Sequence, residues 1–214
     1  MSALRIAVLA SGFGGNLQAI LDSVHAEGAA TVVAVATDNP SARAIARAEE
    51  AGVPVRVFPL DEYADRASRD AAMADWLAAA GVELVVLAGY MKLLAPVFLS
   101  RFPRGVINVH PALLPAFPGI DAVEQALAYG VKVFGVTIHF VDEGIDTGAV
   151  ILQRAVELPE AETVEDVYDA LGPIEHELLP EAIRLIAAGA VSFDAANPRR
   201  VRVEGARSVS SNEG

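Results

Sequence analysis

Residues 4–20 read LRIAVLASGFGGNLQAI. The run LRIAVLA has none of the polar alternation of a strand with one wet face, so it reads as a strand buried on both sides. A glycine-rich turn follows, and NLQAI opens a helical pattern. Strand, glycine turn and helix in that order announce an α/β layer architecture with its first ligand-facing loop at residues 11–16.

The same grammar continues outward. TVVAVAT, VPVRVF and ELVVLAG are further aliphatic runs, separated by SARAIARAEEAG and DRASRDAAMADWLAAAG. Gly52 and Gly81 each precede the next strand, where a left-handed C-cap belongs. From residue 105 the pattern changes. GVINV leads into a proline-rich loop and a short helix, DAVEQALAYG. VKVFGVTIHFV and GAVILQRAVEL follow, joined by DEGIDTG, as an antiparallel pair. TVED, a relative of the capping box, opens a long helix over about residues 163–188. VSFDAANPRRVRV reads as a terminal hairpin. The expected fold is α/β: a doubly wound, mostly parallel sheet with helices on both faces and an antiparallel extension in the C-terminal half. One domain is expected over residues 1–204, with halves 1–100 and 101–204, and a loose tail over 205–214.

Composition narrows the function. The 214 residues are 53% hydrophobic and 21% charged, enough apolar material for one large core. A net charge of −12 with no basic block excludes a general nucleic-acid binder or a binder of anionic membranes. Any anionic ligand then needs local positive charge. The absence of cysteine removes disulfides, thiolate nucleophiles and Cys-ligated metals, and no metal site is expected. MSALRIAVLASG is too brief an apolar run for a secretory leader. LVVLAGYMKLLAPVFL, broken by Gly89, Lys92 and Pro96, falls short of a membrane span. A cytoplasmic protein is expected.

The glycine loop suits a phosphate, because glycines let backbone amides approach an anion at a helix start. Gly12, Gly14 and Leu17 do not complete the dinucleotide fingerprint, so a single phosphate fits better than a dinucleotide. Asp38 stands where a ribose-binding acid would sit and keeps a nicotinamide-dependent oxidoreductase as an alternative, and the glycine loop also leaves open a non-catalytic nucleotide-binding module. As part of TDNPSA, Asp38 reads more naturally as a helix N-cap.

INVHPALLPAFPG, residues 107–119, ends another strand. Asn108 and His110 are two apart in extended chain and leave the same face, and Pro111 holds His110 extended. An amide donor beside an imidazole suits acyl transfer, with Asn108 stabilising an oxyanion while His110 moves a proton. Asp146, in the Gly-bounded turn DEGIDTG, is a candidate to orient the imidazole and raise its pKa, with Asp142 and Glu143 as competitors. His139 in VTIHFV reads as a packed or supporting residue. His25 reads as a solvent-facing residue near a helix end, and His176 falls on the long helix.

VLASGFGGNLQAI, VVLAGYMKLL, INVHPALLPAFPG and VTIHFVDEGIDTGAVILQ together resemble the folate-dependent glycinamide ribonucleotide formyltransferases of purine synthesis, over about residues 5–190. The resemblance implies formyl transfer from 10-formyltetrahydrofolate to the amine of glycinamide ribonucleotide, with a catalytic trio on Asn108, His110 and Asp146 and no metal. It implies substrate contacts at Gly14, Gly15, Asn16 and Glu175, and folate contacts at Arg66, Met91, Lys92, Leu93, Leu94 and Asn108. Its partners would be small molecules only, on a monomer or homodimer. Gly15, Lys92, Ala112, Ala116 and Val123 replace the residues frequent in the family at those positions. Sibling activities are a methionyl-tRNA or sugar-nucleotide formyltransferase and a formyl-folate hydrolase. The tRNA enzyme usually carries an added C-terminal domain and the hydrolase an added N-terminal one, for which this chain is expected to have no room.

Overall fold

In the computed structural model, residues 3–204 are described; the expected tail over 205–214 lies outside the described residues. Seven strands form one sheet in the order β3-β2-β1-β4-β5-β6-β7. The first, β1 (Leu4–Leu9), pairs in parallel with β2 (Ala30–Thr37) on one side and β4 (Leu84–Leu87) on the other. Parallel pairing continues to β3 (Val55–Val57) and β5 (Val106–His110). Two antiparallel strands, β6 (Val133–Phe140) and β7 (Val150–Glu157), complete the sheet. A separate hairpin joins β8 (Val191–Phe193) to β9 (Val201–Val203).

The apolar runs explain the layers. Along β1, Ile6 and Val8 join one core with Leu17 and Leu171, while Ala7 and Leu9 join another with Met73 and Phe98. A strand with period-2 geometry needs apolar residues at every position when both faces are covered. The first core is roofed by α1 (Gly15–Ile20), α2 (Ala44–Glu50), α5 (Ala122–Tyr129) and α6 (Val164–Ala187); the second by α3 (Arg66–Ala79) and α4 (Pro96–Arg101).

Several local expectations hold. Gly52 and Gly81 have φ of 68° and 71°, as left-handed C-caps require. Thr163 and Asp166 form a reciprocal capping box at the start of α6. Two do not. The helix after the glycine loop passes into a π-helical turn over Leu21–His25. Asp38 caps nothing: Arg43 occupies the N-cap of α2, without a side-chain bond, and the Asp38 carboxylate instead accepts a hydrogen bond from Ser11. Among the described residues no helix is long and apolar enough to cross a membrane.

Because β2 and β4 flank β1, the chain reverses its direction of progress across the sheet between β1 and β4. In an open α/β sheet this reversal leaves a crevice beyond the carboxyl ends of the two strands. The glycine loop after β1, the segment 88–95 after β4 and the end of β5 all meet there.

Candidate active site

Strand register assembles the centre. On β5, Asn108 lies opposite His139 of β6, and His110 lies opposite Thr137. The side chains of Asn108 and His139 meet, with Asn108 Nδ2 3.2 Å from His139 Nε2. His139 Nδ1 lies 2.8 Å from the Phe140 carbonyl, which can only accept, so Nδ1 carries the proton. His139 Nε2 lies between the Asn108 amide and, at 3.5 Å, Asp146 Oδ1, and so holds the amide in place while leaving the rest of its hydrogen-bonding capacity for a ligand. The family resemblance did not include His139 in the site. Its only sequence signal was a histidine inside an apolar strand.

Asp146 reaches both imidazoles. Its Oδ2 is 3.4 Å from His110 Nδ1, and its Oδ1 is 3.5 Å from His139 Nε2. Asp142 serves the turn instead, accepting from Thr147 Oγ1 and the Gly144 amide, and Glu143 is exposed. The turn has strict requirements. Asp146 sits at φ 51°, in the left-handed region that aspartate tolerates better than most residues. A Cβ on Gly148 would lie 1.7 Å from the Phe140 carbonyl oxygen, so only glycine closes the turn.

His110 Nε2 donates to the Phe117 carbonyl at 2.8 Å. Burial is the strongest influence on this ring and holds its pKa below the ordinary 6.5, although the Phe117 contact and the Asp146 charge both push upward. The expected elevation by Asp146 is therefore corrected: its influence has the expected sign and desolvation overrides it. For Asp146, burial pushes upward. The His139 contact, the Gly119 amide and the two imidazoles together bring it below the usual carboxylate range.

The loop after β5 is fastened at both ends. Thr137 Oγ1 donates to the Ala112 carbonyl and accepts from the Leu114 amide and Gln153 Nε2, while the Gly119 amide donates to Asp146. The cavity this loop walls has a volume of about 650 Å³ and takes in Asn108, His110, His139 and Asp146. Met91, Lys92, Leu93 and Leu94 line it as well. Around it, Met91, Leu93, Ile120 and Ile145 are each more than half exposed, an apolar surface that a flat ligand would cover.

A second group of residues surrounds the glycine loop. Gly14 has φ 76°, and a Cβ there would lie 3.0 Å from Ala44 Cα, so the residue is required on both counts. Asn16 Nδ2 donates to Glu175 Oε2 at 2.7 Å, joining α1 to α6. Asn16 Oδ1 is buried with no partner among the described residues. Burial raises the Glu175 pKa, opposed by the Asn16 hydrogen bond. Arg47 donates through Nε to the Phe13 carbonyl and through Nη1 to Gln18, and both Arg43 and Arg47 stack on the Phe13 ring at 4.5 and 4.9 Å. These guanidiniums bring positive charge to the loop of an acidic chain. The spacing of Arg43 and Arg47, four apart on a helix, was the available signal.

Arg66 joins neither group; it is exposed at the first turn of α3. His25 departs from its solvent-facing reading: its Nδ1 accepts from the Val32 amide.

Comparison with known proteins adds a second kind of observation. The family model described as "Formyl transferase" matches residues 4–183. The chain is 42% identical over 181 residues to the phosphoribosylglycinamide formyltransferase of Bacillus subtilis, covering 84% of this chain and 93% of that protein. It is 40% identical over 188 residues to the bovine trifunctional purine biosynthetic protein adenosine-3, covering 87% of this chain and only 19% of that longer protein. The crystal structure of glycinamide ribonucleotide transformylase 1 from Symbiobacterium toebii superposes with a TM-score of 0.90 at 47% identity, covering 94% of each chain.

Proposed function

The chain belongs to the formyl transferase family, among the phosphoribosylglycinamide formyltransferases, and on that premise we propose that it transfers a formyl group from 10-formyltetrahydrofolate to the amine of glycinamide ribonucleotide in purine biosynthesis. The observation that carries the chemical part is the joint contact of one carboxylate, Asp146, with the imidazoles of His110 and His139 at the floor of a cavity with an apolar rim.

The amine attacks the formyl carbon, a C–N bond forms and the carbonyl oxygen takes up negative charge. Asn108, its amide fixed by His139, supplies an N–H to that oxygen. His110, protonated at Nδ1 beside Asp146 while Nε2 stays bound to the Phe117 carbonyl, adds positive charge near that oxygen, and Asp146 stabilises the imidazolium. The amine proton passes to the departing folate nitrogen, and the old C–N bond breaks. Net charge is conserved, and no covalent enzyme intermediate or metal is required. The cavity fits a folate on the chemistry of its lining: Met91, Leu93, Leu94 and Ile145 offer faces for a flat heterocycle beside the polar floor. Lys92 is assigned to folate on the family resemblance, as is Arg66, which lies outside the lining of this cavity. Gly14, Gly15 and Asn16 are assigned to the substrate phosphate and Glu175 to its amine-bearing end. The positive charge of Arg43 and Arg47 supports the phosphate assignment. A cytoplasmic monomer or homodimer acting only on small molecules completes the reading.

The test is release of tetrahydrofolate in the presence of both substrates, with a sugar nucleotide as the competing acceptor. Activity is expected with glycinamide ribonucleotide alone among acceptors. His110→Ala and Asp146→Asn should each lose about 10²- to 10³-fold in kcat, the scale of one lost oxyanion donor or its support. Near-normal turnover in either would overturn the assignment of the trio.

A further inference from the structure

Ser11 spends every polar atom it has on the loops that follow β2 and β4. Its amide donates to the Gly89 carbonyl at 3.0 Å, and its carbonyl accepts from Asn39 Nδ2 at 3.0 Å. Its hydroxyl accepts from the Met91 amide at 3.0 Å and donates to Asp38 Oδ1 at 2.6 Å. A serine hydroxyl has one proton. Because Asp38 takes it, a lone pair is left for Met91. Asp38 has a side chain only 9% exposed, and its other oxygen is 3.9 Å from Lys92 Nζ. A carboxylate this little exposed, at the end of a strand beside both loops, is held by these bonds. The far end of the same segment is fixed independently, since the Ala95 amide donates to the buried Asp70 at 2.7 Å.

The consequence is mechanical. Ser11 lies three residues before Gly14 in the segment assigned to the substrate phosphate, and its hydroxyl holds Met91, the first residue of the segment assigned to folate. We propose that Ser11 and Asp38 are positioning residues that join the two ligand-binding segments into one unit, so that each ligand strengthens binding of the other. This rests on the functional reading above. By linkage the strengthening is reciprocal, and coupling between two ligand sites is typically about 5- to 150-fold.

The test uses tetrahydrofolate, the released product, which binds without reacting. Its Kd is measured by calorimetry on the full chain with and without saturating glycinamide ribonucleotide, and the nucleotide's Kd with and without tetrahydrofolate. In the unsubstituted protein each ligand should tighten the other about 5-fold or more. In Ser11→Ala the factor should fall below about 2. Asp38→Asn keeps an oxygen to accept the Ser11 proton and should retain most of the coupling, while Asp38→Ala should lose it. This pair carries the test if Ser11→Ala does not fold. A purely structural role would lower melting temperature without changing the coupling factor. Full coupling in folded Ser11→Ala or Asp38→Ala, or none in the unsubstituted protein, would overturn the inference while both ligands still bind. Failure of both ligands to bind the unsubstituted protein would overturn the functional reading, and the inference with it.

Discussion

Thr137→Val should unfasten the loop that walls the cavity while preserving the shape of the core. Thr137 is fully buried and lies beneath that loop on β6. Its hydroxyl makes three hydrogen bonds, to the Ala112 carbonyl at 2.7 Å, from the Leu114 amide at 3.1 Å and from Gln153 at 2.9 Å. Valine has nearly the same volume, so no cavity term enters. The Leu114 amide would lose its acceptor, and an orphaned buried donor costs about 1–3 kcal/mol. Ala112 would lose a donor, whereas Gln153 keeps its bond to the Leu114 carbonyl. The sum is about 2–4 kcal/mol, or roughly a 5–15 °C fall in melting temperature for a chain of this size. Urea unfolding with a constant m-value measures the first quantity and calorimetry the second. Thr137→Ser, which keeps the hydroxyl and loses a methyl, should cost about 1 kcal/mol. If Thr137→Val is destabilised by less than about 0.5 kcal/mol, or by no more than Thr137→Ser, the hydroxyl does not hold the loop and the reasoning fails.

Other perturbations probe separate parts of the molecule. Gly148→Ala forces the turn away from the Phe140 carbonyl and carries Asp146 with it, so kcat should drop about 10²-fold or more, the scale of misplacing a catalytic group by an ångström; steady-state kinetics at full substrate saturation would reveal a normal kcat if the turn were pliable. Asp70→Asn leaves Arg69, 1% exposed, without its buried counter-charge, at a cost of about 3–5 kcal/mol readable by denaturant titration. Stability should also fall with acid. His110 has a lowered folded pKa, so below 6.5 the unfolded chain binds the proton more readily than the native state and stability declines as pH falls. Asp146, also lowered, contributes stability above its ordinary value of 3.8 that is lost as pH falls through its folded value. Stability curves of His110→Gln should therefore be flatter than the parent's from pH 6.5 downward, and parallel curves would contradict the burial argument.

Sequence reading reached those features that a single segment encodes. The buried strands, the left-handed glycines at 52 and 81 and the capping box at Thr163 are local, and so is the placing of Asn108 and His110 on one face. Asp146 was singled out among three acids, but its contact with His110 depends on how two loops meet. The partnership of Asn108 with His139 was hidden because it follows from the pairing of β5 with β6, thirty-one residues apart. Asp38 was misread as a cap for the same reason. Its partner is Ser11, twenty-seven residues away, and a local N-cap pattern cannot register a competing distant donor. The direction of the His110 shift was missed because a charge partner is easier to infer from residue types than the depth at which both groups sit.

The opposition of Asn108 to His139, and of His110 to Thr137, also makes the centre a discrete rather than a continuous object. Side chains alternate faces along a strand, so deleting one residue from β5 or β6 does not loosen the constellation by degrees. It turns Asn108 and His110, or Thr137 and His139, to the opposite side of the sheet. Variation by insertion is then partitioned sharply along the chain. Changes of length are forbidden inside the two strands, whereas the connection from α5 to β6 can absorb them without altering which atoms face one another.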